Sequence, residues 1–486
     1  MFNKGLNFNS IFQKDFLNLL LLLIVTTVII YSAPVMVIRL FFLLLLFQFY
    51  RSDKGYFWLV FLFILIETPG GLFTGFEGIE VKRIPMYPIT SGISLGFYDL
   101  FMILALIKIY IKRIRSPIFL KAPMNMLLAY FVFLYIYSIL LGMSSGSHIY
   151  AFRIFLTFSM FIVIPSLLGN QEQLGKFIGL ILPCVLMFFA TQVYQIASGG
   201  KELLGFLVPE KISPTYLETG EMIRPETGAN LVFYTNFISL LILSFSIKTG
   251  KKFYLLFIAT ISFLSIIFTG TRGWFLAFIF FLLGFIFVNS NNPVKSFGYI
   301  IVTILIFLMF YFSAPLLKHQ VDAAIQRLTT VELILQGDPT AGGTNLRLTE
   351  RNDNVMNKFR ENPIFGFGFS DEFNKFNDGH VGNQNLLLNV GIVGFSLFFI
   401  VIFLYIRKIV LARSTLKQNN GYRKGINIFI VGILALYIIH SSSVQIFGYN
   451  VCFSQINKMF LLALFLTTTD VILKEAFKEN QLKSIN

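Results

Sequence analysis

The chain is predicted to be an all-α polytopic membrane protein with 12–14 transmembrane helices and one large extracytoplasmic loop containing short helices. Three observations predict this. Hydrophobic residues make up 56% of the chain and charged residues only 13%, with a mean hydropathy of +0.75. A soluble domain carries roughly a quarter charged residues. The apolar residues come in long runs rather than alternating or one-faced patterns, and about 20 apolar helical residues span a hydrocarbon core. A single long polar insert, Ser313 to Gln384, interrupts them.

Fourteen spans are read: 17–32, 34–50, 55–68, 94–111, 123–142, 150–168, 175–197, 229–247, 253–269, 273–289, 298–315, 385–406, 426–443 and 450–472. Helices satisfy their own backbone groups in lipid, so a helical bundle follows. The first two spans crowd around Ser32-Ala33-Pro34 and form either two crossings or a re-entrant pair. No cleavable signal peptide is expected, because the first apolar run leads directly into another. The expected organisation is an N-terminal transmembrane bundle (1–315), a loop subdomain (316–384), C-terminal transmembrane helices (385–473) and a cytoplasmic tail (474–486).

Basic residues set the orientation. With both termini cytoplasmic, the inner segments and adjoining span ends hold 23 Lys and Arg; the short outer loops hold six, Lys82, Arg83, Lys201, Lys211, Arg224 and Arg272. The net charge of +15 is therefore an orientation and headgroup signal, not a nucleic-acid footprint. Two cysteines, four scattered histidines and the absence of a glycine-lysine-serine/threonine phosphate loop argue against a disulfide framework, a zinc site or an ATP-driven engine. No cofactor or metal is expected.

Candidate residues follow from charge placed where charge is costly. Arg39, Asp99, Arg153 and Lys458 fall inside predicted spans. Such residues bind a substrate or pair with one another, and Asp99 with Arg153 or Arg39 is the simplest pairing. Arg272 stands in the tight link Gly270-Thr271-Arg272-Gly273-Trp274, at headgroup level. Its guanidinium suits a phosphate or diphosphate, through bidentate bonds; alternatively it is an interfacial anchor beside Trp274.

The loop's second half has its own plan. Thr349 is expected to cap a helix from Glu350 to Asn362-Pro363, with Leu348, Val355, Met356 and Phe359 on one face and Arg347, Arg351 and Arg360 more exposed. Asn362-Pro363-Ile364-Phe365-Gly366-Phe367-Gly368 then makes a glycine-rich turn that allows close backbone approach. Asp378-Gly379-His380 follows, just before the next span.

In this order the motifs resemble the O-antigen ligase and O-antigen polymerase family of bacterial membrane glycosyltransferases. The resemblance covers roughly residues 220–400: Arg224-Pro225-Glu226-Thr227-Gly228-Ala229-Asn230, Thr269-Gly270-Thr271-Arg272-Gly273, the 362–368 turn, His380 and Gly391-Ile392-Val393-Gly394. The chain has His380-Val381 where the family usually has histidine-asparagine, and it lacks a loop-helix tryptophan.

The resemblance implies transfer of a glycan from undecaprenyl diphosphate at the outer face of the bacterial inner membrane, without metal or nucleotide sugar. His380 and Arg272 would be catalytic. Arg224, Arg272, Arg347 and Arg351 would hold the diphosphate, with Asp99, Arg153, Gly366 and Gly368 in support. The expected partners are an undecaprenyl-diphosphate-linked oligosaccharide, the lipid bilayer, a chain-length regulator and a flippase. Polymerase is favoured over ligase, because the loop is long and the polymerases are the more divergent branch. A lipid-linked oligosaccharide flippase is the reading from another class; it expects charged cavities and internal repeats.

Overall fold

A computed structural model describes residues 11–67, 84–90, 93–114, 121–198, 228–244, 249–269, 271–288, 293–313, 318, 321–322, 350–378, 381–415, 420–441 and 456–485. The described chain is almost entirely helical, as expected of an all-α polytopic membrane protein. Among the described residues, each predicted span lies on a helix except for the start of the fourth. Seven helical stretches are long and apolar enough to cross a membrane: Lys14–Ser32, Ala122–Leu141, Ser145–Leu168, Gln171–Ala197, Lys251–Phe268, Gly382–Arg413 and Ile456–Phe477. Gly55–Glu67, Ala229–Ser244 and Gly273–Val288 are shorter apolar helices.

By its contacts the chain divides into two compact units. The first comprises residues 1–87, 94–112 and 167–328. Its helices begin with α1 (Ile11–Ser32), α2 (Val35–Arg51) and α3 (Gly55–Glu67). α1 and α2 are separate helices; Pro34 stands at the break, where its missing N–H and fixed φ stop a helix from continuing. Ahead of α4 (Phe97–Ile111), the strands β1 (Met86–Thr90) and β2 (Ile93–Gly96) pair in a small sheet. The sheet corrects the expected start of the fourth span at residue 94. Tyr87, Ile89, Ile93 and Leu95 give this stretch a period of two, which suits strands.

The unit continues with α8 (Gln171–Ala197), α9 (Ala229–Ser244), α10 (Thr249–Phe268), α11 (Arg272–Val288) and α12 (Pro293–Ser313). α9 is its centre, buried at every residue from Asn230 to Leu243. Phe233 packs against Trp274, Phe278 and Phe281 of α11. Between α9 and α10, Asn236 donates to the Ala259 carbonyl at 3.0 Å, and the Thr235 and Ser262 hydroxyls lie 3.1 Å apart. These polar contacts join helices in a setting where apolar attraction alone does not distinguish neighbour from lipid.

The second unit comprises residues 88–93, 113–166 and 329–486. It contains α5 (Lys121–Leu141), α6 (Ser145–Phe158), most of α7 (Met160–Leu168), α13 (Asn352–Glu361), α14 (Asp371–Phe376), α15 (Gly382–Thr415), α16 (Asn420–Ile439) and α17 (Ile456–Ile485). α17 runs through the segment expected to be a tail, as far as Ile485. α15 is interrupted at Gly391, whose φ of 64° and ψ of −177° are not helical.

Candidate functional site

The glycine turn and the break in α15 are one construction. A helix that stops leaves its last carbonyls and the next first amides without partners. Here the turn supplies them. Phe367 N–H donates to Leu388 O and Gly368 N–H to Asn389 O, both at 2.8 Å. Beyond the break, Ile392 N–H donates to Pro363 O at 2.9 Å and Val393 N–H to Ile364 O at 3.2 Å. The Asn389 side chain returns a bond to Gly368 O at 2.6 Å, and the Tyr130 hydroxyl of α5 donates to Val390 O at 2.6 Å.

Two backbones meet at strand-like distance, so there is no room for side chains. A β-carbon on Gly366 would lie 2.6 Å from Gly391 N; one on Gly391 would lie 2.2 Å from Ile364 O. Gly366 and Gly368 also have φ values of 68° and 55°. Sequence reading singled out both motifs; it could not show that each exists for the other, because 25 residues separate Gly366 from Gly391.

The loop helices are fixed to the same unit. α13 buries Val355 and Phe359, as expected, and packs against α15. Lys358 joins α13 to α14 with bonds of 2.7 Å to both Glu361 and Glu372, its ammonium lying over the rings of Phe367 and Phe376. These hydrogen bonds hold the lysine above its ordinary pKa and Glu372 below its own.

At the start of α14, Asp371 accepts from the Ser144 N–H at 3.0 Å, the Ser144 hydroxyl at 2.8 Å and the Ser147 hydroxyl. These donors, Ser147 foremost, hold its carboxyl below the ordinary aspartate range. A lowered folded-state pKa stabilises above the unfolded value and is lost as pH falls through the folded one. The α14 clasp is therefore expected to hold from neutral pH to about 4 and to loosen only in stronger acid. Protease cleavage around 371–376 as a function of pH checks this, and Asp371→Ala should be cleaved at neutral pH.

His380 lies outside the described residues, but both its flanks are pinned. The Asn385 side chain accepts from Asp378 N–H at 2.9 Å and donates to Asp378 O. Val381 N–H donates to Asp378 O at 3.3 Å, and Asn385 N–H to Val381 O at 3.1 Å. Asn385 is 1% exposed. Arg351 lies 3.6 Å from Asp378, which ties the start of α13 to the same bend. Sequence reading passed over Asn385 as part of a polar approach to a span. The available signal was an asparagine seven residues after Asp378, at the first turn of a helix. Asn385→Ala would remove both side-chain bonds to Asp378, leaving Asp378 O its bond from Val381, at a cost of about 1–3 kcal/mol if the Asp378 N–H stays dry. It is expected to expose 377–383 to protease, which limited proteolysis of the purified protein checks.

In the first unit, α9 begins at the asparagine of the Arg224–Asn230 motif. Gly228 has a φ of 51° and no space for a β-carbon, which would fall 1.9 Å from the Phe188 ring. Asn230 donates from its backbone N–H to Glu67 at 3.2 Å and from its side chain at 2.9 Å. Glu67, 6% exposed, was missed in the sequence although it ends an otherwise wholly apolar helix. A carboxylate at a helix N-terminus is favoured by both the free amides and the helix dipole. Glu67→Ala should cost about 1–3 kcal/mol and lower the thermal midpoint of the purified protein, while Glu67→Gln should retain part of the effect.

Arg272 is the first residue of α11, and the Phe275 N–H makes that helix's first bond, to Thr271 O at 3.1 Å. Thr269 supports the link by accepting from Thr271 N–H at 3.0 Å. Trp274 is 4% exposed and packed on Phe233. It is a core residue of this unit.

Asp99 accepts from Gly96 N–H at 2.8 Å and so fastens the start of α4. Arg153 is half-buried on α6, its carbonyl accepting from Thr157. Arg272, Asp99, Glu67 and Asn230 thus belong to the first unit; Arg153, Arg351, Gly366, Gly368 and Asn385 belong to the second. Arg224 and Arg347, like His380, lie outside the described residues. Among the described residues, no group of three or more His, Cys, Asp or Glu stands close enough to hold a metal ion.

Residues 257–399 match the family model described as O-antigen ligase. This stretch is similar to that family. The matched stretch contains Arg272, the glycine turn, His380 and the break in α15; Arg224 and Asn230 lie upstream of it. No curated protein matches the chain. The similarity supports ligase-type glycan-transfer chemistry and gives no support to the flippase reading.

Proposed function

We propose that this protein is a repeat-unit polymerase for O-antigen or exopolysaccharide. It moves a glycan from undecaprenyl diphosphate to a sugar hydroxyl of a second lipid-linked oligosaccharide, at the outer face of the inner membrane. The observation that carries the reading is the interlocked glycine turn and α15 break, which lies within the family match. The long loop favours polymerase over ligase.

In this reading the acceptor oxygen forms a bond to the anomeric carbon while that carbon's bond to the diphosphate breaks. A single displacement inverts the anomeric centre. His380 takes the hydroxyl proton or orients the hydroxyl. Arg272 and Arg224 stabilise the departing diphosphate, with Arg347 from the loop; electrostatic stabilisation of this kind is usually the largest contribution. Arg351, engaged with Asp378, turns to the diphosphate only if that ion pair opens. Asp99 and Arg153 support the helices around the site.

The test uses purified protein in nanodiscs with undecaprenyl-diphosphate-linked repeat unit, no nucleotide sugar, and chelator present. A ladder of longer glycans, lost in Arg272→Ala, is the expected result. No ladder from folded protein, with transfer appearing only when lipid A-core is added, would make the protein a ligase. No transfer to either acceptor would overturn glycan transfer altogether.

A further inference from the structure

The second unit holds a cavity far from the glycine turn in sequence. It has a volume of about 620 Å³, and its lining includes Arg407, Lys408, Asp470, Lys474, Leu411 and Phe477. Three of the apolar stretches long enough to cross a membrane end there. Pro123 opens Ala122–Leu141, Arg407 and Lys408 lie near the end of Gly382–Arg413, and Lys474 and Phe477 close Ile456–Phe477. A place where three spans all terminate is at headgroup depth, whichever side of the membrane it faces.

The charges there are organised. Asp470, only 5% exposed, binds Lys408 at 2.7 Å and Lys474 at 3.3 Å. One carboxylate thus draws two ammonium groups to the cavity wall, and both remain nearly half exposed. Arg407 has no acidic partner among the described residues. Three cations against one anion leave a local excess of positive charge. The rest of the lining is almost wholly apolar: Leu404, Leu411, Ala412, Leu473 and Phe477.

We infer that this cavity is a binding site for an anionic glycerophospholipid of the bilayer. Its phosphate lies between Arg407 and Lys474, and an acyl chain lies along Leu404, Leu411 and Phe477. A free phosphate would need only the cations, and a neutral lipid only the apolar wall; the two together match a charged headgroup with its chain attached. Basic pockets between transmembrane helices recognise anionic headgroups in this way. By the distribution of basic residues the site faces the cytoplasmic leaflet, opposite the glycan-transfer face.

Native mass spectrometry of the full-length protein tests this, with phosphatidylglycerol, phosphatidylcholine and glycerol 3-phosphate as separate probes. Retention of phosphatidylglycerol, with neither of the others retained, is the expected result. Arg407→Gln/Lys474→Gln should weaken that binding about thirty-fold, at about ten-fold or less per charge. This variant leaves the Lys408–Asp470 pair in place to support the fold. Arg423→Gln/Lys424→Gln, at the start of α16, removes the same charge elsewhere and should change binding little. Equal loss in both variants would reduce the effect to net charge and overturn the site. Equal retention of phosphatidylcholine, or competition by glycerol 3-phosphate, would overturn the lipid assignment.

Discussion

Gly391→Ala is expected to abolish glycan transfer and to lower the yield of folded protein, whereas the same change at Gly142 should be tolerated. Both glycines have positive φ, 64° and 99°. Placing an L-residue there costs about 1–3 kcal/mol at either position. The surroundings separate them. Gly142 has nothing within 4 Å of where a β-carbon would stand, whereas at Gly391 the β-carbon meets Ile364 O at 2.2 Å and backbone carbon of Ile364 and Phe365 at 2.5 Å. Backbone cannot rotate away as a side chain can, so the turn must move off the break. Doing so exposes Leu388 O, Asn389 O, Ile392 N–H and Val393 N–H, each net bond being worth about 1 kcal/mol and each dry orphan more. The sum is a large share of a typical stability of 5–15 kcal/mol.

Gly394→Ala falls between these cases: its β-carbon would lie 2.4 Å from the Tyr130 ring and 2.5 Å from Val390 Cβ, side-chain atoms rather than main-chain ones. Thermal unfolding and limited proteolysis between 361 and 370, run beside the glycan-ladder assay, check the order. Gly391→Ala behaving like Gly142→Ala would show that the turn does not depend on the break.

The same contrast explains what could be read from the sequence. Long apolar runs imply helices because lipid leaves the backbone no other partner, and the described residues of the predicted spans are helical apart from the start of the fourth. Val355 and Phe359 were legible as a buried face because they recur at helical spacing. The β1–β2 pair was not, since it is short and lies against an apolar run. The pairing of Gly366 with Gly391, the clasp of Asn385 on Asp378 and the cap of Glu67 on Asn230 were also illegible. Each is a contact between distant parts of the chain, made by backbone groups or by common polar residues that carry no motif. Sequence marked the glycines as places of close approach and left the approaching partner unnamed. Trp274 likewise packs on Phe233 in the core of the first unit, a contact between distant parts of the chain that carries no motif.

Arg272→Ala is expected to reduce the transfer rate by about 10²–10³ while leaving the protein folded. The position supports both halves of this statement. Arg272 opens α11, where the first amides have no intrahelical partner and the helix dipole favours an anion. In the proposed reaction a guanidinium at this position would add a full charge and two parallel donors where the departing diphosphate gains negative charge. The helix itself does not need the arginine, since alanine is a good residue for a first turn and Trp274, Ala277 and Phe278 supply the buried face of α11.

Arg272→Lys keeps the charge and loses the fork, so it should recover only part of the rate. Because the leaving group gains charge mainly in the transition state, the loss should appear in kcat more than in KM. Initial rates of ladder formation across donor concentration, in alanine and lysine variants of matched thermal stability, decide this. Full activity in a folded Arg272→Ala protein would remove Arg272 from the chemistry. A loss confined to KM would make it a residue that binds the donor before reaction without easing departure of the diphosphate.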